Sequence, residues 1–205
     1  ITKIIFLDNI KSRVVIVYFV LLALLSWTSL LLQDNESKGA LTVLNIILFV
    51  TPLMSLLYTV TYLYDSHDFQ VLLLSQPIKR KQIWQSLYMG VSSSLLIAFL
   101  LGAGIPMLMY TDLTTGLILV LMGCVNTLIF VSLAFLTTML TSDKTRGTGV
   151  SILIWLLLTM IYDAILLYAI FLLSDWPLET PLLTLLMLNP LDLTRFQVIL
   201  QMDVA

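Results

Sequence analysis

Apolar and polar positions alternate along this chain in long blocks rather than at helical or strand spacing. Five apolar blocks cover residues 14–32, 42–64, 83–110, 115–141 and 149–173, with short polar segments between them. A helix crosses the hydrocarbon of a bilayer with roughly 20 consecutive apolar residues, and each block meets that length. Four contain no charge, and the fifth contains one, Asp163. The pattern predicts an all-α, polytopic membrane helix bundle with five visible spans, forming a single transmembrane domain over residues 1–205. Ahead of the first block, residues 1–13 read as a short interfacial helix leading into the membrane. The apolar positions there (Ile1, Ile4, Ile5, Phe6, Leu7, Ile10) are spread around most of a helical wheel.

Composition agrees with the blocks. Hydrophobic residues make up 60% of the 205 and charged residues 11%, against about 45–50% and about 25% in soluble chains. The lipid bilayer is therefore the first partner, and nothing suggests nucleic acid. The first block follows Lys11 and Arg13 but shows no small-residue cleavage site, so no cleavable signal peptide is expected. The single cysteine, Cys124, excludes an internal disulfide.

Charge sets an expected orientation. Lys3, Lys11 and Arg13 precede span one, Lys79, Arg80 and Lys81 separate spans two and three, and Lys144 and Arg146 separate spans four and five. These eight of ten basic residues share one side of the membrane, against Lys38 and Arg195 on the other. Basic residues gather in cytoplasmic loops, which places the N-terminus in the cytoplasm. The tail from Ser174, carrying Asp175, Glu179, Asp192 and Asp203, then falls outside. Its apolar stretch is too short to cross, so residues 176–203 read as extracytoplasmic or interfacial helices.

Within the spans, Pro52 predicts a kink in span two, and Pro106 after Gly104 a bend at the outer end of span three. Gly90, Ser94, Ala98 and Gly102 recur every four residues and share one helix face. Small residues let backbones approach closely where lipid offers no hydrophobic drive, either within one subunit or against a second copy. Asp163 is costly at its depth and belongs on a bundle interior or wet cavity, as a path-lining group or a bond to a neighbouring helix. Asn126 reads as an interhelical bond and Cys124 as a small packing residue. Met107 and Met109 could suggest copper, but their spacing sends the sulfurs to opposite faces. No metal site is expected, and His67 stands without partners of ligating spacing.

The longest cytoplasmic loop, residues 65–82, carries a short amphipathic helix. Asp65 or Asp68 can cap its start, Phe69, Leu72 and Leu73 share a face, and Pro77 stops it. The face must lie on a membrane surface, helped by Lys79–Lys81, or in a partner's groove.

Residues 72–83, Leu-Leu-Leu-Ser-Gln-Pro-Ile-Lys-Arg-Lys-Gln-Ile, resemble the segment between the second and third spans of ABC-2-type permeases. There a leucine run, Ser/Thr-x-Pro and a basic residue lead into the third helix. Residues 152–174, with Trp155 and Asp163, and residues 185–195, Leu-Leu-Met-Leu-Asn-Pro-Leu-Asp-Leu-Thr-Arg, resemble one branch. That branch is the NosY-type permease of the nitrous-oxide-reductase maturation transporter. The chain departs from it at Asp68-Phe69-Gln70-Val71, where the family often has Glu and then Gly-Thr. It also shows five spans where the family has six, so a C-terminal truncation ahead of a sixth helix is expected.

The resemblance implies a multi-pass, homodimeric permease of the bacterial inner membrane. Residues 66–77 become the coupling helix, with Asp68, Phe69, Leu72, Leu73, Ser75 and Pro77 meeting a cytoplasmic ABC ATPase. ATP and Mg would bind that subunit, because this chain has no phosphate loop and is not itself an enzyme. Asn189, Pro190, Asp192 and Arg195 become the external face for a periplasmic NosD-type protein, in service of copper-enzyme maturation. Two rivals stand beside it. One is an ABC-2 exporter of lipid, polysaccharide, peptide or drug, or a motility permease; the other is a membrane scaffold or channel without an ATPase.

Overall fold

In lipid every backbone N–H and C=O must be satisfied within the protein, which leaves helices as the form these apolar blocks can take. The computed structural model, which describes residues 2–33, 36–75, 79–172 and 179–204, is helical throughout its described elements. In chain order these are α1 (Thr2–Lys11), α2 (Arg13–Leu31), α3 (Glu36–Asp65), α4 (His67–Leu74), α5 (Arg80–Phe99), α6 (Ile105–Tyr110), α7 (Leu113–Leu140), α8 (Lys144–Leu156), α9 (Tyr162–Leu172), α10 (Glu179–Leu188) and α11 (Pro190–Val204). Two π-helical turns, Leu100–Gly104 and Leu157–Ile161, join α5 to α6 and α8 to α9. Among the described residues five continuous helices are long and apolar enough to cross a membrane: Arg13–Leu31, Lys38–Asp65, Arg80–Tyr110, Leu113–Leu140 and Lys144–Leu172. Each coincides with one of the five apolar blocks.

The second and third spans form the centre. α3 packs along α2, α7 and α8, and α5 along α1, α2 and α7. Leu22, Val43, Leu56, Leu87, Val91, Leu95, Phe99 and Phe130 are fully buried between them. The small-residue face of the third span is filled by this chain's own helices. A Cβ on Gly90 would stand 2.4 Å from Ile5 Cγ2 of α1, and one on Gly102 3.0 Å from the Phe19 carbonyl oxygen of α2. Ser94 and Ala98 are buried on the same face. α1 is therefore docked against the bundle, although its sequence gave little amphipathic signal. Asn9, fully buried, fixes it by donating to the Ile5 carbonyl at 2.7 Å and accepting from the Tyr58 hydroxyl of α3.

α3 runs through Pro52 without interruption. Proline deletes a ladder bond and crowds the preceding turn, which frees carbonyls there. In that turn, one residue past the Leu48 carbonyl that Pro52 leaves unbonded, the Phe49 carbonyl accepts from Trp155 Nε1 of α8 at 3.2 Å. In the third span the helix loosens into the π turn just before Pro106 and then continues as α6.

The tail is where the architecture departs most from expectation. α10 and α11 form a helical hairpin, and α11 packs against α3 and α7. Thr194 meets Asn126, near the midpoint of the 28-residue α7. The hairpin thus reaches into the bundle from the end opposite the basic loops instead of lying on its surface.

Candidate functional site

Two places bring functional side chains together: α4 at the basic end, and a charged cluster where the hairpin enters.

α4 follows α3 after a single residue, Ser66. Its start carries no side-chain cap, so neither Asp65 nor Asp68 takes the capping role. Asp65 pairs with Lys144 at 2.5 Å, tying α3 to α8, and Asp68 is exposed beside His67 at 3.8 Å. Gln70 instead ties α4 to the end of α3, donating from Nε2 to the Leu63 carbonyl at 2.9 Å and to the Ser66 hydroxyl at 3.0 Å. Ser75 closes the helix, donating from its hydroxyl to the Leu72 carbonyl at 2.7 Å.

The three predicted anchors separate. Leu73 is buried on the bundle side, where α4 meets α5, and is unavailable to a partner. Phe69 lines a cavity of about 500 Å³ with Ile4, Ile5, Asp8, Tyr62 and Asp65. Leu72 is 64% exposed, and Val71 and Leu74 beside it are exposed too. The open apolar edge is therefore Val71, Leu72 and Leu74, because the single-residue junction at Ser66 sets α4 so that Leu73 falls on the bundle side. Pro77 lies outside the described residues.

The second site is built on α9 and α11. Asn189 precedes Pro190 and uses its whole amide. Its Oδ1 accepts from the Leu191 N–H at 3.2 Å, while Nδ2 donates to the Leu158 carbonyl and to Asp192 Oδ2, both at 2.8 Å. The first bond caps α11. Leu158 belongs to the second π turn, a local widening that often marks functional positions. Tyr162 donates to the Leu185 carbonyl at 2.5 Å, holding α10 against α9. Arg195, one turn beyond Asp192, places Nη1 2.9 Å from Asp163 Oδ2 and 3.6 Å from Asp192 Oδ1. Asn126 donates to Thr194 Oγ1 at 3.2 Å.

Electrostatically the cluster has two carboxylates and one guanidinium. Burial, reinforced by the neighbouring Asp163 carboxyl, pushes Asp192 up from the ordinary carboxylate range to about 6, against the lowering pull of Asn189 and Arg195. Two buried atoms lack partners here, Arg195 Nε and Asn126 Oδ1. Cavities of about 270 and 180 Å³ flank the Asp163–Arg195 pair.

The structure thus unites Asp163 with Asp192, Arg195 and Asn189, which the sequence had divided between a membrane interior and an external face. Asn189 and Asp192 are buried within the chain rather than displayed to a partner. The reason is chemical: Asp163 at depth finds its countercharge in Arg195, and α11 enters the bundle to deliver it. Sequence reasoning missed Tyr162, Asn9, Tyr58 and the Trp155 bond. A tyrosine adjacent to Asp163 was the available signal.

Among the described residues no group of three or more His, Cys, Asp or Glu is placed to hold a metal ion. Met107 is fully buried and Met109 exposed, so their sulfurs diverge as the spacing required. Cys124 is a free, half-buried thiol.

No protein-family model matches the chain. Two curated proteins are similar to it, each called a probable ABC transporter permease protein NosY, from Stutzerimonas stutzeri and from Pseudomonas aeruginosa. Each is 29% identical over 72% of this chain. The matched part spans 58% of each relative, so the chain corresponds to little more than half their length. At this low identity the chain is ABC-permease-like, in the manner of NosY.

Proposed function

We propose that this chain is the transmembrane permease subunit of a bacterial ABC-2-type transporter, and that a separate cytoplasmic ATPase docks on α4. The observation that carries this is the apolar edge Val71–Leu72–Leu74, exposed beside Lys79 and Arg80 at the end of the bundle that gathers the basic residues. An apolar edge outside the spans is buried on the membrane surface or in a partner's groove, and the similarity to ABC transporter permeases favours the groove. Positive charge on that side supports a cytoplasmic position for it and for the N-terminus. ATP and Mg then belong to the partner, and this chain supplies the mechanical path. α4 packs on the third span, and Gln70 joins it to the second, so a push on α4 is delivered to both central helices.

The similarity to two NosY permeases supports the narrower reading. On it, a homodimer of this chain in the inner membrane serves copper-enzyme maturation, and the hairpin end faces a periplasmic NosD-type protein.

The test is affinity purification of the tagged chain co-expressed with its ABC ATPase. Leu72→Asp and Leu74→Asp should lower ATPase recovery about tenfold or more, the factor set by losing one buried apolar contact and desolvating a charge. Undiminished recovery would remove α4 as the docking element. A wild-type chain that recovers no ATPase would favour the scaffold or channel reading. Orientation is checked by a cysteine at Lys38, which should label only from outside.

A further inference from the structure

At the basic end of the bundle a cleft of about 500 Å³ separates α1 from the junction of α3 with α4. Ile4 and Asp8 line it from α1, and Tyr62, Asp65 and Phe69 from the other side. Ile4 is 65% exposed and Phe69 38%, so the two sides present open apolar surface to each other. α1 precedes the first span, and Tyr62 is three residues from the Asp65 end of the second, about 5 Å at the helical rise. The cleft therefore lies at the level of the loops rather than within the hydrocarbon.

Its charge is the reverse of its surroundings. Eight of the ten basic residues gather at this end, yet both charged groups lining the cleft are carboxylates. Asp65 is matched by Lys144. Asp8 is exposed and has no ion pair among the described residues. An unmatched carboxylate beside apolar walls fits a cation on a hydrocarbon stem. Lys and Arg have this form, with methylenes that lie along apolar surface and a head that stays polar. The Tyr62 and Phe69 rings suit a guanidinium further. A phospholipid would bring a phosphate, which the carboxylates repel. Leu72 stands one turn beyond Phe69 on α4, and residues three apart are neighbours on a helix surface. A partner that covers Leu72 therefore reaches the wall of the cleft as well.

We propose that this cleft receives a lysine or arginine side chain of the docking ATPase. The cationic head pairs with Asp8, its methylenes lie between Ile4 and Phe69, and Leu72 carries the apolar part of the same contact. The proposal rests on ATPase docking at α4 and adds what the partner presents there, a basic residue beside an apolar groove. It also makes α1 a second element of the docking surface.

The tagged full chain is co-expressed with its ABC ATPase and purified in mild detergent at about 0.1 M and about 1 M salt, the second of which screens charge pairs. Asp8→Lys should lower ATPase recovery at the lower salt about tenfold, since it sets like charges against each other across the contact. Asp8→Glu should keep recovery, and one Lys or Arg of the ATPase changed to Glu should restore it to Asp8→Lys. Wild-type recovery should fall with salt more steeply than that of Asp8→Asn. Ile4→Trp, which fills the cleft from an exposed position and leaves its charge alone, should lower recovery at both salts. Asp143→Lys, the same reversal elsewhere on this end, should change nothing. Undiminished recovery in Asp8→Lys or Ile4→Trp, an equal loss in Asp143→Lys, or loss of co-purified phosphatidylethanolamine in place of the ATPase would each overturn the proposal. Recovery kept by Asp8→Lys and lost in Leu72→Asp removes the cleft alone, whereas recovery kept in both removes docking at α4 with it.

Discussion

The third and fifth spans are made of much the same apolar residues, yet they sit in the molecule in opposite ways. Of the most apolar stretch of each, 61% is buried in the third and 11% in the fifth. The third is held by shape: Gly90, Ser94, Ala98 and Gly102 remove side-chain bulk and bring α1 and α2 against its backbone. The fifth is held by a few directional bonds from Trp155, Tyr162, Asp163 and the Leu158 carbonyl. Close packing is lost all at once when a methyl group is added, because a packed interior has no room to give. Directional bonds can be exchanged one at a time, and the Arg195 guanidinium already stands between two carboxylates. The third span is suited to be a fixed post, and the fifth, with its hairpin, to be a part that shifts.

The strongest challenge to that contrast is bulk at Gly90. Gly90→Leu drives a side chain into Ile5, whose Cβ is already 2.9 Å from the position a first carbon would take. Overpacking of this kind costs about 3 kcal/mol, and here it also pries α1 away from Asn9 and Tyr58. The melting temperature of a fluorescent fusion, followed by size-exclusion chromatography, should fall clearly, and less in Gly90→Ala. If Gly90→Leu melts like wild type, shape does not hold the third span.

A second test separates the two charges of the fifth-span cluster. Arg195→Met leaves Asp163 and Asp192 facing each other without a cation, whereas Asp163→Asn leaves Arg195 and Asp192 as a neutral pair. Removing one partner of a fully buried pair costs several kcal/mol; the partial exposure of Arg195 reduces this to about 2 kcal/mol for Arg195→Met. Asp163→Asn should cost less than about 1 kcal/mol. The exchange Asp163→Arg with Arg195→Asp should recover most of what Arg195→Met loses. Equal losses in the two single variants would mean that Asp192 takes no part.

How far each region could be read in advance follows from the kind of bond that holds it. Spans and the small-residue face are legible because they depend on local composition and a four-residue repeat. The pairing of Asp163 with Arg195 was not, because it joins residues 32 apart across a hairpin that hydropathy assigns to the surface. Asn189-Pro190-Leu191-Asp192 was recognisable as a helix start, but not the depth at which that helix begins. At α4 the pattern located the helix and named Leu72, while the loop geometry that turns Leu73 inward lay beyond any periodicity argument.

The finest test of the contrast is titration, since a packed post should ignore pH and the cluster should not. Asp192 is raised from about 3.8 to about 6 in the folded protein. Between those values the folded chain holds a proton that the unfolded chain has released, so raising the pH through this window erodes stability. Wild-type melting temperature should therefore fall as pH rises from about 4 to about 6 and level off above it. Asp192→Asn should flatten that slope, because its amide keeps the hydrogen-bonding shape of the protonated acid and cannot lose a proton. Gly90→Ala should keep the slope unchanged on a lowered baseline, since α1 and the third span share no titrating group with the cluster. A slope that survives in Asp192→Asn would move the titrating group elsewhere and leave Arg195 paired to Asp163 alone.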